Sequence, residues 1–198
     1  MKTPFKAFAC FLALCLAFPA FAGSIAEYTA DMVDVKTGKV TQKLAVAPDK
    51  IYAEIFAPEG KRISVTIIRL DQKKMYVCME NSKSYMELPF DKDKLTAADF
   101  TIGMAQARQE KVGTETVGGY QADKFRTTVQ GLGTTRQFYQ WMAPEFDPMP
   151  VRTEAEGDIR EMRNIKTGRP DASLFEIPQG YERNEQMEQM MKGAMGGK

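Results

Sequence analysis

The chain has 198 residues, with 27 basic and 26 acidic side chains, no histidine and three cysteines. The balance of charge argues against a nucleic-acid partner, which usually requires a basic excess. The lack of histidine excludes Ser-His-Asp and Cys-His catalysis and histidine-ligated zinc sites. A chain of this size can bury one sizeable core, so we expect one main domain.

The first 22 residues have the pattern of a secretory signal peptide. Lys2 and Lys6 form a positive start, residues 8–18 form a short apolar core, and an Ala-Phe-Ala cleavage motif ends at Ala22. A membrane-spanning helix needs about 20 apolar residues, and Pro19 interrupts this stretch. The sequence therefore predicts cleavage after Ala22 and a periplasmic or secreted mature chain without a transmembrane segment.

Cysteine usage predicts a protein without disulfides. Cys10 and Cys15 lie within the predicted leader, and neither has the flanking residues of a lipidation site. Cys78 is then alone in the mature chain. A nucleophilic thiol needs a base or a lowered pKa, and histidine, the usual base, is absent. We expect Cys78 to be buried and unreactive, with a transient mixed disulfide as the alternative.

From residue 28 onward, short alternating runs are separated by turn residues, which predicts antiparallel strands. A spacing of about 8 to 12 residues per strand and turn is typical of an antiparallel sandwich or barrel. The predicted strands cover residues 28–35, 40–46, 50–56, 63–67, 109–117, 120–130, 134–142, 151–155 and 159–166, with a further hairpin over 74–90 that turns at 81–83.

Residues 91–108 interrupt this series of strands. They include Leu95, Phe100, Ile102 and Met104, and charged residues stand at their start. Gly103 weakens a single continuous helix. We predict one or two short helices or an ordered loop here, which would serve as a lid or plug.

The predicted tail, residues 184–198, is polar and carries a methionine stripe. Met187, Met190, Met191 and Met195 fall at i, i+3, i+4 and i+8, which predicts one face of a short helix. Thioethers are soft ligands for Cu(I), so a copper carrier is one interpretation. Methionine also fills adaptable apolar surfaces, and we expect no metal site.

The chain has no convincing catalytic motif. Glu154 and Glu156 would share one face of a strand, but Arg152 lies on the same side and can pair with them, as on a solvated face. The Gly118-Gly119 pair and the Gly131-Leu132-Gly133 run are read as turns, not phosphate loops. The sequence predicts neither catalytic residues nor a cofactor, and a protein that is not an enzyme.

Several predicted strands are apolar on both faces. Tyr52 and Phe56 oppose Ile51 and Ile55, and the hairpin at 74–90 shows the same pattern. A sheet with one solvated face normally alternates with polar residues. Both faces must therefore be covered, either by a packed core or by a ligand, and the sequence leaves these two alternatives open.

The order of these segments resembles an uncharacterised bacterial secreted family related to the lipoprotein carrier LolA and the sigma-factor regulator RseB. The likeness covers residues 28–183. It is carried by the collinear stretches "YTADMVDVKTGKVTQKLAVAPDKIYAEI", "IIRLDQKKMYVCMENSKSYMELPF", "VGGYQADKFRTTVQ", "YQWMAPEFDPMPVRTEAEG" and "NIKTGRPDASLFEIPQGYE". The turn at residues 46–49 lacks the basic residue that precedes proline in the carrier.

The resemblance implies a mainly β (α+β) fold, an open antiparallel β-barrel or half-barrel over residues 23–183 with short helices as lid. It implies a non-enzymatic periplasmic protein that binds a lipid, a lipoprotein acyl chain or another apolar ligand. An envelope-stress sensor or protein-interaction module, as in RseB, is the alternative function. The residues expected to line the hollow are Tyr52, Phe56, Tyr76, Tyr139 and Trp141, with Phe100 and Met104 from the lid.

Overall fold

A computed structural model describes residues 26–90, 104–131 and 134–196. Within these ranges the chain forms twelve strands, three 3-10 turns and one α-helix. The strands are β1 Tyr28–Asp34, β2 Val40–Ala47, β3 Lys50–Phe56, β4 Arg62–Arg69, β5 Lys74–Met79, β6 Ser84–Pro89, β7 Met104–Val117, β8 Tyr120–Gly131, β9 Thr134–Met142, β10 Arg152–Ala155, β11 Asp158–Thr167 and β12 Glu182–Arg183. The helix, α1, covers Glu185–Gly196, and the 3-10 turns cover Leu70–Gln72, Pro144–Phe146 and Ala172–Phe175.

The chain divides into two compact units. The large unit comprises residues 24–93 and 158–198, and the described part of the small unit lies within residues 94–157. Among the described residues, no helix is both long and apolar enough to cross a membrane.

The large unit is built on an open sheet. Its strand order is β12-β6-β5-β4-β3-β2-β1-β11, and all pairs are antiparallel except β12 with β6. Tight turns join neighbours along the chain; Gly38, with φ of +70°, closes the turn between β1 and β2. Because β11 does not pair with β12, this sheet does not close into a barrel.

One face of this sheet is covered by the segment of residues 171–181, which we call the strap. The strap crosses the sheet after β11 and includes the last 3-10 turn. Phe175 of the strap is buried in a cluster with sheet residues, and Leu174, Ile177 and Tyr181 pack against it. The sheet members of this cluster are Ala45, Ala47, Tyr52, Val65, Ile67 and Cys78.

The small unit contains the antiparallel strands β10-β9-β8-β7. The register of β7 on β8 shifts between Lys111 and Gly113, which marks a bulge. The loop that follows β9 packs inward, with Phe146 and Met149 buried. The Phe146 ring meets Tyr120 edge to face at 4.7 Å between centroids.

The predicted mainly β, open antiparallel architecture is confirmed, and the predicted strands agree closely with the observed ones. The helix or loop predicted over residues 91–108 is wrong for residues 104–108, which belong to β7. Their pairing with β8, for example Arg108 with Thr128, outweighs the local sequence preference. The rest of that lid, with Phe100, and the predicted leader at 1–22 lie outside the described residues.

Candidate functional site

Tyr52 and Tyr76 lie on the face of the large sheet that the strap covers. Tyr52 of β3 is buried in the cluster around Phe175, and Tyr76 of β5 packs against that cluster. Burial raises the pKa of the Tyr52 hydroxyl to about 12. Both rings therefore contact protein side chains, and their predicted role in lining a ligand cavity stays a prediction.

Cys78 lies at the centre of the same cluster. It is fully buried, at 0 % exposure, and burial raises the pKa of its thiol to about 11. Because the thiolate is the nucleophilic form, this environment suppresses thiol chemistry. The predicted burial of Cys78 is confirmed.

A charged network on this face fixes the end of the strap. The Tyr181 hydroxyl donates a 2.6 Å hydrogen bond to Glu80, which also pairs with Lys83. Arg62 bridges Glu80 and Glu54, with N–O distances of 2.8 Å to each. Hydrogen bonds from Lys83, Tyr181 and Arg62 lower the pKa of Glu80 to about 2. The carboxylate of Glu80 thus holds the strap at Tyr181.

A second anchor holds the middle of the strap. Arg69 of β4 pairs with Asp71 at 2.7 Å and with Glu176 at 3.0 Å. Its guanidinium also donates to the carbonyl of Phe175 at 3.5 Å. The strap is therefore tied to the sheet next to Phe175 and again at Tyr181.

Phe56, another predicted lining residue, lies at the end of β3 and is half-buried. The Lys43 ammonium lies 5.7 Å from the centroid of its ring, at a distance typical of a cation–π contact. Met104, which was expected in the lid, is the first residue of β7.

Tyr139 and Trp141 are neighbours on one face of β9 in the small unit, with ring centroids 6.3 Å apart. The Lys124 ammonium lies 5.1 Å from the Tyr139 centroid and 4.6 Å from that of Trp141. The Arg152 guanidinium lies 5.0 Å from the Trp141 centroid. The structure therefore brings Tyr139 and Trp141 together beside two cations. Tyr52 and Tyr76 are separated by β4 and share only the cluster around Phe175.

The opposite face of the large sheet, which we call the apolar face, was not singled out from the sequence. Its residues on β2 to β6 include no charged side chain, whereas the strap face carries Lys43, Glu54 and Glu80. In the sequence, the lack of charged residues at alternate positions of β2 to β6 is the signal that identifies the apolar face. Its buried apolar members are Tyr28, Ala30, Met32, Leu44, Val46, Ile51, Ala53, Ile55, Ile68, Met75, Val77, Met86 and Leu88.

Three buried polar residues interrupt the apolar face: Gln42, Ser64 and Ser84. Thr66 lies on the same face and is half-buried. The Ser84 hydroxyl lies 2.7 Å from that of Ser82. The Ser64 hydroxyl has no hydrogen-bond partner among the described residues, although the residue is only 1 % exposed. Buried polar groups are normally paired, so Ser64 holds an unused hydrogen-bonding group inside an otherwise apolar layer.

The methionine stripe lies on α1, which contacts β6. Met190 is 63 % exposed, whereas Met187 and Met191 are half-buried. In the described ranges, no group of three or more His, Cys, Asp or Glu side chains is arranged to hold a metal ion.

Three solved structures are similar to this chain. An uncharacterized conserved protein from Thermus thermophilus has 13% identity and a TM-score of 0.48, over 80% of this chain and 91% of its own. A protein described as a "putative lipoprotein" from Parabacteroides distasonis has 11% identity and a TM-score of 0.36, over 72% and 96%. A "putative exported protein" with YmcC-like fold from Bacteroides fragilis has 17% identity and a TM-score of 0.33, over 77% and 100%.

No curated protein matches the sequence significantly. A family model does match, over residues 27–147, which is more than half of the chain. This stretch includes the whole of β1 to β9. The chain therefore belongs to the family described as "Domain of unknown function (DUF4412)".

Proposed function

We propose that this is an exported, non-enzymatic protein that binds an acyl chain or another elongated apolar ligand on the apolar face of the large unit. The observation that carries the proposal is the uncharged layer of buried side chains that β2 to β6 contribute on that side. Burying apolar area there contributes about 0.8 kcal/mol per methylene. An acyl chain of ordinary length would thus gain on the order of 10 kcal/mol before ordering costs.

The composition of the apolar face suits an adaptable site. Met32, Met75 and Met86 are buried there, and methionine side chains adjust their shape to irregular partners. Ser64 would supply a single hydrogen bond to the ester or carboxyl group of the ligand. This combination favours a ligand with one polar end over a pure hydrocarbon.

Two features support the exported and non-enzymatic parts of the proposal. The leader-like residues 1–22 support export, as in a LolA-type carrier of the cell envelope. The burial of Cys78 and the raised pKa of its thiol argue against a thiol nucleophile. N-terminal sequencing of the protein from a periplasmic fraction tests the first point, because the expected first residue is Gly23.

Methionine-methyl NMR tests ligand binding directly. The chain is labelled with 13C-methyl methionine and titrated with cis-parinaric acid, an acyl-chain probe. The methyl signals of Met32, Met75 and Met86 are expected to shift, whereas that of exposed Met190 stays in place. Unchanged signals from all three apolar-face methionines, together with no lipid in native mass spectra, would contradict the proposal.

Ser64→Ala tests the role of the hydroxyl. It is expected to weaken binding of cis-parinaric acid while leaving binding of a hydrocarbon probe without a polar end less affected. Ser84→Ala is the matched control, because Ser84 lies on the same face but its hydroxyl already contacts Ser82. Equal effects of the two substitutions would show that the Ser64 hydroxyl does not bind the ligand.

A further inference from the structure

The outer edge of β6 is only partly covered by backbone pairing. The parallel strand β12 pairs just two residues, Glu182 with Ser84 and Arg183 with Tyr85. The carbonyl of Tyr85 accepts from the backbone N–H of Asn184 at 2.8 Å. Beyond that point the chain turns into α1, so strand pairing ends.

Beyond the end of β12, the side chain of Glu188 covers the edge of β6. The backbone N–H of Glu87 donates a 2.8 Å hydrogen bond to Glu188 Oε1 of α1. Glu188 is only 3 % exposed, and Arg183 holds its carboxylate with two hydrogen bonds of 2.9 and 3.0 Å. The carboxylate thus occupies the position at which a neighbouring strand would offer a carbonyl.

The next residue of β6 whose backbone groups face this edge has no N–H donor. Backbone groups of alternate residues face the same edge of a strand, and two residues after Glu87 comes Pro89, which lacks an N–H. An uncovered edge is a template for pairing with another chain. Glu188 and Pro89 together close the part of the edge that β12 leaves open.

We propose that α1 is an edge guard that keeps β6 from pairing with the β6 strand of a second copy of this chain. Glu188 is the residue on which the guard depends. When it is displaced, the two β6 strands associate in antiparallel fashion about a two-fold axis, so each copy offers the same surface.

Charge complementarity favours the β6 strand of a second copy as the partner of β6. Antiparallel self-pairing centred on Tyr85 places Glu87 opposite Lys83 of the other copy, on both sides of the axis. Lys83 is the turn residue directly before β6, and in such a pair it would exchange its present partner Glu80 for Glu87. Opposite charges in directly facing positions stabilise a strand pair. The two Tyr85 residues would exchange backbone hydrogen bonds through the carbonyl that Asn184 now occupies. Guarding by the tail and pairing with a second copy therefore exclude each other.

Sedimentation equilibrium of the full chain tests the proposal. Glu188→Ala is expected to tighten self-association about tenfold, which corresponds to about 1.4 kcal/mol. Glu185→Ala is the matched control, an exposed glutamate in the first turn of the same helix, and leaves association unchanged. If the alanine variant does not fold, Glu188→Gln keeps the shape of the side chain, loses the charge pair with Arg183, and shifts association in the same direction.

Second substitutions in the Glu188→Ala chain test the register. Glu87→Arg would face Lys83 of the other copy, so it should return the chain to the wild-type association constant. It also breaks the Lys74–Glu87 ion pair, and Lys74→Gln is the control that breaks the same pair but still permits association. Equal association of Glu188→Ala and the wild type, or undiminished association of the Glu87→Arg double variant, would overturn the proposal.

Discussion

The indole N–H of Trp141 donates a 2.9 Å hydrogen bond to Glu115, and the other carboxylate oxygen of Glu115 accepts one of 3.0 Å from Lys124. Lys124 lies directly opposite Trp141 on the neighbouring strand, and its ammonium lies over the indole ring. Trp141 is thereby reduced to 1 % exposure on a sheet face that also carries charged side chains. Ionic side chains, rather than an apolar layer, surround much of this aromatic residue.

Glu115→Ala is expected to destabilise the chain by about 1–3 kcal/mol, because the buried indole N–H loses its acceptor. Urea denaturation measures this through Trp141 emission, which is specific because the chain has one tryptophan. Glu110→Ala is the control. Its ion pair with Arg126 is exposed to solvent, so its loss should change stability much less than the loss of Glu115. Equal losses from the two substitutions would contradict the structural role of Glu115.

Stability is expected to fall in acid through Glu80. Hydrogen bonds from Lys83, Tyr181 and Arg62 lower its pKa from 4.5 to about 2 in the folded chain. The folded state therefore resists protonation, and the stability that Glu80 contributes is complete above the unfolded pKa of 4.5 and is lost as pH falls towards 2. Urea midpoints measured across that interval should decline.

Glu80→Gln should lower stability at neutral pH and flatten the acid decline, because the titrating group is gone. Glu59→Gln, at an exposed position in the turn after β3, should leave the decline unchanged. An acid profile of Glu80→Gln that runs parallel to that of the wild type would show that other carboxylates determine it.

Cys78 is expected to resist thiol reagents in the folded chain. It is buried, and its pKa is raised to about 11, so at about pH 8 very little thiolate is present. Iodoacetamide labelling followed by peptide mass mapping distinguishes Cys78 from Cys10 and Cys15. Labelling should become rapid only in urea, and rapid modification under native conditions would contradict the packing of this cluster.

The sequence predicted most strands because alternation and turn glycines are local signals. Charged residues such as Glu54 distinguish the two faces of β3 and β5 in the sequence, but they do not show which face the strap covers. Phe175 of the strap, more than 100 residues beyond Tyr52, decides which face carries the strap. The hydrogen bond between Trp141 and Glu115 spans 26 residues and depends on the register of three strands. A local sequence motif therefore cannot predict it.

The turn between β7 and β8 gives a test of backbone conformation in the small unit. Gly118 and Gly119 have φ of +59° and +92°, as in two-residue hairpin turns that match the twist of their strands. Gly119→Ala should cost about 1–2 kcal/mol, because a Cβ disfavours left-handed backbone. Apart from its chain neighbours, no heavy atom of the described residues lies within 4 Å of the added Cβ. Urea denaturation followed by Trp141 emission measures the loss.

Gly113→Ala is the matched control in the same hairpin. Gly113 does not have a positive φ, and it also has open space around its added Cβ. Its substitution should be neutral or stabilise the fold by about 0.4–1 kcal/mol, because alanine restricts the unfolded chain. If both alanine variants lose the same stability, the loss comes from the bulk of the new methyl group and not from the φ angles of the turn.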